Sequence, residues 1–164
     1  MPPGTLSIQA AEPQQAEQSR RSVESAPRLA LIWGRGLNTR ISLLVAEDEA
    51  LVRLAMQEML EGGGYEVVAA SSGEMAMSLI MQGSCPYGGL ITDIRLGGEL
   101  DGWALARAAR ARVPDICVIY VTGDSAADWS AKGVPQSLVL QKPVADAQIL
   151  TGISMLLNDR SGLS

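Results

Sequence analysis

Glu47, Asp48, Asp93, Thr122 and Lys142 are the side chains of this sequence whose types and spacing suit chemistry on a phosphoryl group beside a divalent cation. Each stands at the C-terminal end of a short apolar, strand-like run, or one or two residues beyond it. Those runs cover residues 41–46, 90–92, 116–121 and 137–140. A parallel α/β sheet gathers the C-terminal ends of its strands along one edge, and ligands bind in the crevice there. Three carboxylates, a hydroxyl and an ammonium would then converge from positions 47 to 142.

Glu47 and Asp48 follow the first run and Asp93 follows the third. A hard cation such as Mg²⁺ takes oxygen ligands, keeps several waters and needs only one or two protein carboxylates. A second reading of Glu47, Asp48 and Glu49 is an acidic cluster complementing the dipole of the next helix. Asp93, within Ile-Thr-Asp-Ile at 91–94, is an acid between apolar residues, and such a group needs a partner. Val-Thr-Gly-Asp at 121–124 sets a hydroxyl before a glycine that admits backbone close to a ligand. Gln-Lys-Pro at 141–143 sets a cation at the end of the last strand, before a proline whose peptide bond can be cis. The joint order (acidic pair, acid, Thr-Gly, Lys-Pro, each after its own strand) is far more specific than any one member.

The elements that must hold these groups alternate. Residues 41–46 are nearly continuously apolar, as in a strand buried on both faces. Leu51, Leu54, Ala55, Met59 and Leu60 have helical spacing and predict a helix over 49–61, stopped by Gly62, Gly63 and Gly64. A second strand is expected over 65–70. Ser71 and Ser72 can cap a helix from 73 to about 81, and Asp101 can cap one from 102 to about 112, which Pro114 follows. A short helix near 125–131 and an amphipathic helix over 144–157 complete five βα units. Strands alternating with helices imply a parallel sheet covered on both faces. Right-handed crossovers narrow this to a doubly wound fold.

Composition excludes several functions. With no histidine among 164 residues, the chain has no His-based metal site, no Ser-His triad and no phosphohistidine of its own, so a phosphoryl group must come from another molecule. Cys85 and Cys117 make no disulfide framework or zinc site, and Cys117 reads as a buried small hydrophobe. Residues 1–40 carry five arginines against three glutamates. The net charge of −5 is therefore concentrated as an acidic excess in 41–164, which argues against bulk nucleic-acid binding. The run Arg107, Arg110 and Arg112 reads as a solvated helix face. No apolar run is long enough to cross a bilayer. Arg20 and Arg21 precede only a short apolar stretch at 29–33, too short for a signal core, and a cytoplasmic location is expected. Residues 1–28 have the composition of a disordered tail, 29–33 could dock, and 1–40 are expected to form a disordered extension. The folded domain is expected over 41–158, with a tail at 159–164 and no second domain.

Taken together, these residues resemble the receiver domain of two-component response regulators, including the chemotaxis-regulator type. The resemblance covers about 41–158. It implies a flavodoxin-like (βα)5 receiver fold with five parallel strands and Asp93 as phosphoacceptor. It further implies Mg²⁺ held by Glu47, Asp48, Asp93 and the backbone carbonyl of Arg95. Thr122 corresponds to the switch hydroxyl and Lys142 to the lysine that pairs with the phosphate. The implied partners are a histidine kinase or phosphotransfer protein and a downstream protein, with neither nucleic acid nor membrane. The implied state is a monomer or a phosphorylation-dependent dimer. Such a protein assists its own phosphoryl transfer and dephosphorylation without being a classical enzyme.

The sequence also departs from the family pattern. The loop after Asp93 reads Ile-Arg-Leu-Gly-Gly-Glu-Leu-Asp-Gly, with glycines where many receivers carry proline. The stretch between Thr122 and Lys142 is short, so the fourth helix is expected to be abbreviated. Val139 stands where many receivers place an aromatic switch residue, while Tyr120 and Trp129 read as structural. Arg95 and Asp124 are expected to pair across the site and slow hydrolysis. The alternative to a phosphoacceptor is a receiver-like binding module that is never phosphorylated. An aspartyl phosphatase would carry a second Asp where Arg95 stands, and a flavin-binding relative would carry a phosphate loop after the first strand.

Overall fold

The structure, a computed structural model, describes residues 40–161. Residues 1–39 and 162–164 lie outside the described residues, and with them the expectations for the N-terminal extension, the segment 29–33 and the end of the tail. Five strands, β1 (Ser42–Ala46), β2 (Glu66–Ala70), β3 (Gly89–Asp93), β4 (Cys117–Thr122) and β5 (Leu138–Gln141), pair in parallel in the order β2-β1-β3-β4-β5. The helices are α1 (Ala50–Gly62), α2 (Gly73–Met81), α3 (Gly102–Arg112), α4 (Trp129–Lys132, preceded by a 3-10 turn at Ala126–Asp128) and α5 (Asp146–Ser161). This is the doubly wound, flavodoxin-like arrangement that the alternation predicts.

Burial explains the strand sequences. The central strands β3 and β4 are buried along their whole length and β1 nearly so, whereas the edge strands β2 and β5 are largely half-buried. One face of the sheet packs Leu43, Val45, Ile91, Ile119 and Val121 against Met56 and Leu60 of α1 and Ile149 and Ile153 of α5. The other packs Leu44, Leu90, Val118 and Tyr120 against Ala76 and Ile80 of α2 and Trp103, Leu105 and Ala109 of α3. Trp103 and Tyr120 meet at 4.5 Å with tilted rings, a contact that adds roughly 1 kcal/mol beyond its buried area.

The capping residues act as expected. Ser72 Oγ accepts the Met75 amide at 3.1 Å, and Asp101 Oδ1 accepts that of Ala104 at 2.8 Å. Both cysteines are buried and unpaired. The fourth helix is indeed abbreviated. The last one starts at Asp146 rather than 144 and runs to Ser161 rather than 157, so 159–161 are helical and not tail. Pro143 delays its start, and neither Gly nor Pro interrupts it between Gly152 and Gly162. The arginine run on α3 is not simply a solvated face. Arg110 is half-buried, donating from Nε to the Ile116 carbonyl at 2.8 Å and from Nη2 to that of Gln136 at 3.3 Å, and Arg112 bonds to the Gly83 carbonyl. Carbonyls left open in the loops before β3, β4 and β5 capture these guanidinium donors, a demand that sequence spacing does not display.

Candidate functional site

Register brings the polar groups together. Ala46 lies level with Thr92, Asp93 with Val121 and Thr122 with Gln141, so the residues at or just past four strand ends meet at one edge. Asp93 ends β3 and Thr122 ends β4, each one residue further into its strand than expected. The Lys142 amide continues the ladder to the Thr122 carbonyl at 2.8 Å, which directs the lysine back toward β3.

Lys142 Nζ lies 2.6 Å from Asp93 Oδ2 and 2.9 Å from Glu47 Oε2. Glu47 is 1% exposed and Asp93 9%, so the ammonium is the partner that both buried acids require. Asp93 Oδ1 accepts the Arg95 amide at 3.0 Å and Glu47 Oε1 accepts that of Glu49 at 3.2 Å. Burial pushes the Glu47 carboxyl above its ordinary value, against the opposing pull of Lys142. Burial also works against the Lys142 ammonium, yet its bonds to Asp93 and Glu47 outweigh that effect and raise its pKa.

Glu47, Asp48 and Asp93 form a group able to hold a metal ion, with one carboxylate oxygen from each within 4.8 Å of the others. Three carboxylates against one ammonium leave excess negative charge, and an all-oxygen donor set suits a hard dication. The helix-dipole reading accounts for less. Glu47 turns inward to Lys142, and Glu49, at the N-cap of α1, makes no side-chain cap bond.

Beside the carboxylates, an open cleft of about 340 Å³ is lined by Asp93, Arg95, Thr122, Gly123, Asp124 and Lys142. No atom lies within 4 Å of where a side chain on Gly123 would begin, so the backbone there is open to a ligand. Arg95 Nη2 and Asp124 Oδ2 pair at 2.7 Å over this cleft, as expected, with both side chains largely exposed. Thr122 is buried, and its Oγ1 accepts the Ser125 amide at 3.1 Å. Val139 is half-buried in the core, Tyr120 is fully buried, and Trp129 bonds Ser137. The Lys142–Pro143 peptide is cis.

Supporting residues escaped the sequence reading. Arg53 Nη1 donates to the Glu47 and Asp48 carbonyls at 2.8 and 3.2 Å, holding the acidic loop from one turn into α1. Glu74 Oε1 accepts the Glu99 and Leu100 amides, tying the glycine-bearing loop after β3 to α2. An acid two residues after the Ser72 cap was the only signal for Glu74. Arg53 had none.

Residues 43–154 match the family described as the response regulator receiver domain. The response regulator receiver protein CpdR of Brucella abortus (strain 2308) is 32% identical over 123 residues, covering 70% of this chain and 95% of that protein. The sensor kinase CckA of the same organism is 31% identical over 124 residues, but the matched region is 74% of this chain and only 13% of the kinase. Among solved structures, a response regulator receiver protein from Sinorhizobium medicae WSM419 superposes with a TM-score of 0.72 at 38% identity, covering 74% of this chain and 98% of that one. The receiver domain of sensor histidine kinase PA1611 from Pseudomonas aeruginosa PAO1 shares the fold (TM-score 0.63, 22% identity, 73% and 99% covered), and its structure has magnesium coordinated in the active-site cleft.

Proposed function

The chain belongs to the response regulator receiver family of two-component systems, and we propose that it is a stand-alone phosphoacceptor that takes a phosphoryl group on Asp93 and signals by protein contact. The observation that carries this reading is the buried Asp93 carboxylate, bonded to Lys142 at 2.6 Å beside two further acids and open to a cleft that Thr122 lines.

This chain has no histidine, so the phosphoryl group comes from another molecule, and membership of the family makes that donor a phosphohistidine on a histidine kinase or phosphotransfer protein. An Asp93 carboxylate oxygen attacks phosphorus, the donor's P–N bond breaks, and a P–O bond forms. The imidazole nitrogen keeps the electron pair and takes a proton from solvent. Lys142 exchanges part of its hold on Asp93 for a transferring oxygen, offsetting charge that develops there. Thr122 donates a hydrogen bond from its hydroxyl to another phosphoryl oxygen, keeping its proton. Mg²⁺, held by Glu47, Asp48, Asp93 and the Arg95 carbonyl, supplies further charge neutralisation when bound. Later attack of water on phosphorus releases inorganic phosphate and restores the carboxylate. The protein assists both steps on itself and turns over no separate substrate. We place it in the cytoplasm with its donor. No helix among the described residues is long and apolar enough to cross a membrane.

Acetyl phosphate with Mg²⁺, read by intact mass beside Asp93→Asn, tests this. One labile phosphoryl group is expected on the parent protein, and none on the variant or without Mg²⁺. No adduct under any condition would leave the unphosphorylated binding module as the function.

A further inference from the structure

The loop at 94–101 has to hold one shape beside the acidic pair, although Gly97 and Gly98 give it the greatest conformational freedom that residues can bring. Its ends are fixed by backbone. The Arg95 amide donates to Asp93 Oδ1 at 3.0 Å, and the Gly102 amide to the Ile94 carbonyl at 2.9 Å. Its middle is held from another element. Glu74, in the first turn of α2, accepts the Glu99 amide at 3.2 Å and the Leu100 amide at 3.4 Å on a single carboxylate oxygen. The two segments also touch closely there. A Cβ on Gly73 would run into the Leu100 carbonyl and Cβ, and one on Gly98 would lie 2.7 Å from Glu74 Oε1. The loop in turn stands against an acid of the site, since a Cβ on Gly97 would lie 3.0 Å from Asp48 Oδ2. Glu74 is exposed, and its own amide, the Ser72 hydroxyl and the two loop amides hold its carboxyl below the ordinary value. It is therefore a charged acceptor at neutral pH.

We propose that Glu74 is a positioning residue of the cation site: by holding the glycine loop it sets where the Arg95 carbonyl and the Asp48 carboxylate stand, and so how tightly a divalent cation binds. The inference rests on Glu47, Asp48, Asp93 and the Arg95 carbonyl being the Mg²⁺ site. Mg²⁺ demands near-ideal octahedral geometry, so a loop free to wander between two ligands costs affinity. Groups that orient metal ligands from outside commonly change affinity about 10- to 100-fold when removed. Glu74 acts through backbone and at one remove, and about three- to tenfold is expected of it. Charge alone is the competing account, because one more carboxylate attracts a dication from a distance. That attraction is screened by salt, and Glu74 is exposed to it. The two accounts part at a neutral acceptor in position 74, which keeps the hydrogen bonds and loses the charge.

Full-length protein titrated with Mn²⁺, a dication of the same octahedral oxygen preference, gives the dissociation constant from the EPR signal of the free ion, with no phosphodonor present. Glu74→Ala is expected to weaken binding about three- to tenfold, and Glu74→Gln to keep the parent affinity at low and at high salt. Gly98→Ala lies at a position without positive φ, and its Cβ should push the Glu74 carboxylate off the loop. It should weaken binding in the parent and add nothing in Glu74→Ala, the coupling expected of two groups in one device. Metal-free urea unfolding of Glu74→Ala should stay close to the parent. Parent affinity in Glu74→Ala overturns the positioning role. Equal weakening in the Gln and Ala variants, fading at high salt, overturns it in favour of charge. A loss of stability that tracks the loss of affinity overturns it in favour of the fold as a whole. A parent protein that binds no Mn²⁺ overturns instead the cation site on which the inference rests, and intact mass with acetyl phosphate still decides whether Asp93 takes a phosphoryl group.

Discussion

Lys142 carries more of the site than any other residue, because two buried carboxylates rely on one ammonium that is itself 27% exposed. Removing one partner of such a set leaves a charge in a place where water reaches it poorly. Lys142→Ala is therefore expected to cost about 2–3 kcal/mol near pH 8 in metal-free urea unfolding. That loss should shrink as the solution is acidified. Glu47 already has a folded-state pKa raised above the ordinary 4.5 by burial, and without Lys142 it rises further. A carboxyl whose folded pKa exceeds its unfolded one binds its proton first in the native state, so stability increases as pH falls through the folded value toward 4.5. The double variant Glu47→Gln with Lys142→Ala should lose this recovery. If acid fails to rescue the single variant, Glu47 is not the group left stranded.

At the scale of elements, β3 ends on Asp93 itself and the loops after the strands hold the other charged groups of the site. The loop after β3 is anchored by Glu74 and carries Gly97 at φ +67, where an added Cβ would also press on Asp48 Oδ2 at 3.0 Å. Glycine at this position, where many receivers have proline, thus serves both the turn and the acidic pair. The same loop presents Arg95 to Asp124 across the cleft. Both side chains are largely exposed, so the pair contributes little to stability, and its effect is to be sought in how water reaches the phosphoryl group. Arg95→Ala is expected to shorten the phosphoryl lifetime about two- to fivefold, the kinetic equivalent of the fraction of a kcal/mol that such a pair supplies. Decay of the adduct followed by intact mass checks this, and an unchanged lifetime removes the role.

Across the whole molecule, the position of Asp93 depends on how tightly α3 closes onto the end of β3. The Gly102 amide bonds the Ile94 carbonyl at 2.9 Å, and a Cβ on Gly102 would run into the Asp93 carbonyl, Ile94 Cα and Thr92 Oγ1. These are backbone and buried atoms with nowhere to go. Gly102→Ala should lower the urea-unfolding free energy by about 2 kcal/mol or more and slow adduct formation, since the strand end must shift. Gly62→Ala, where nothing stands within 4 Å, should leave both nearly unchanged and serves as the contrast. Equal effects of the two substitutions would show that helix propensity, and not this close approach, sets the cost.

The alternation of apolar runs and helical spacing by itself determined the parallel sheet, because β-strands buried on both faces and helices buried on one leave different periods in the chain. Placing Asp93, Thr122 and Lys142 at strand ends was likewise legible, since a parallel sheet allows only one edge at which such ends can meet. The tertiary structure alone decided the rest. Arg53, Arg110 and Glu74 took their places because backbone groups left open by turns needed partners, and which groups are open depends on the fold. Glu47 was sorted from Asp48 by burial under Lys142, a distinction that two adjacent acids do not display in sequence. Trp129 and Ser137 became partners only when the short segment between β4 and β5 had to satisfy its own amides against Tyr120.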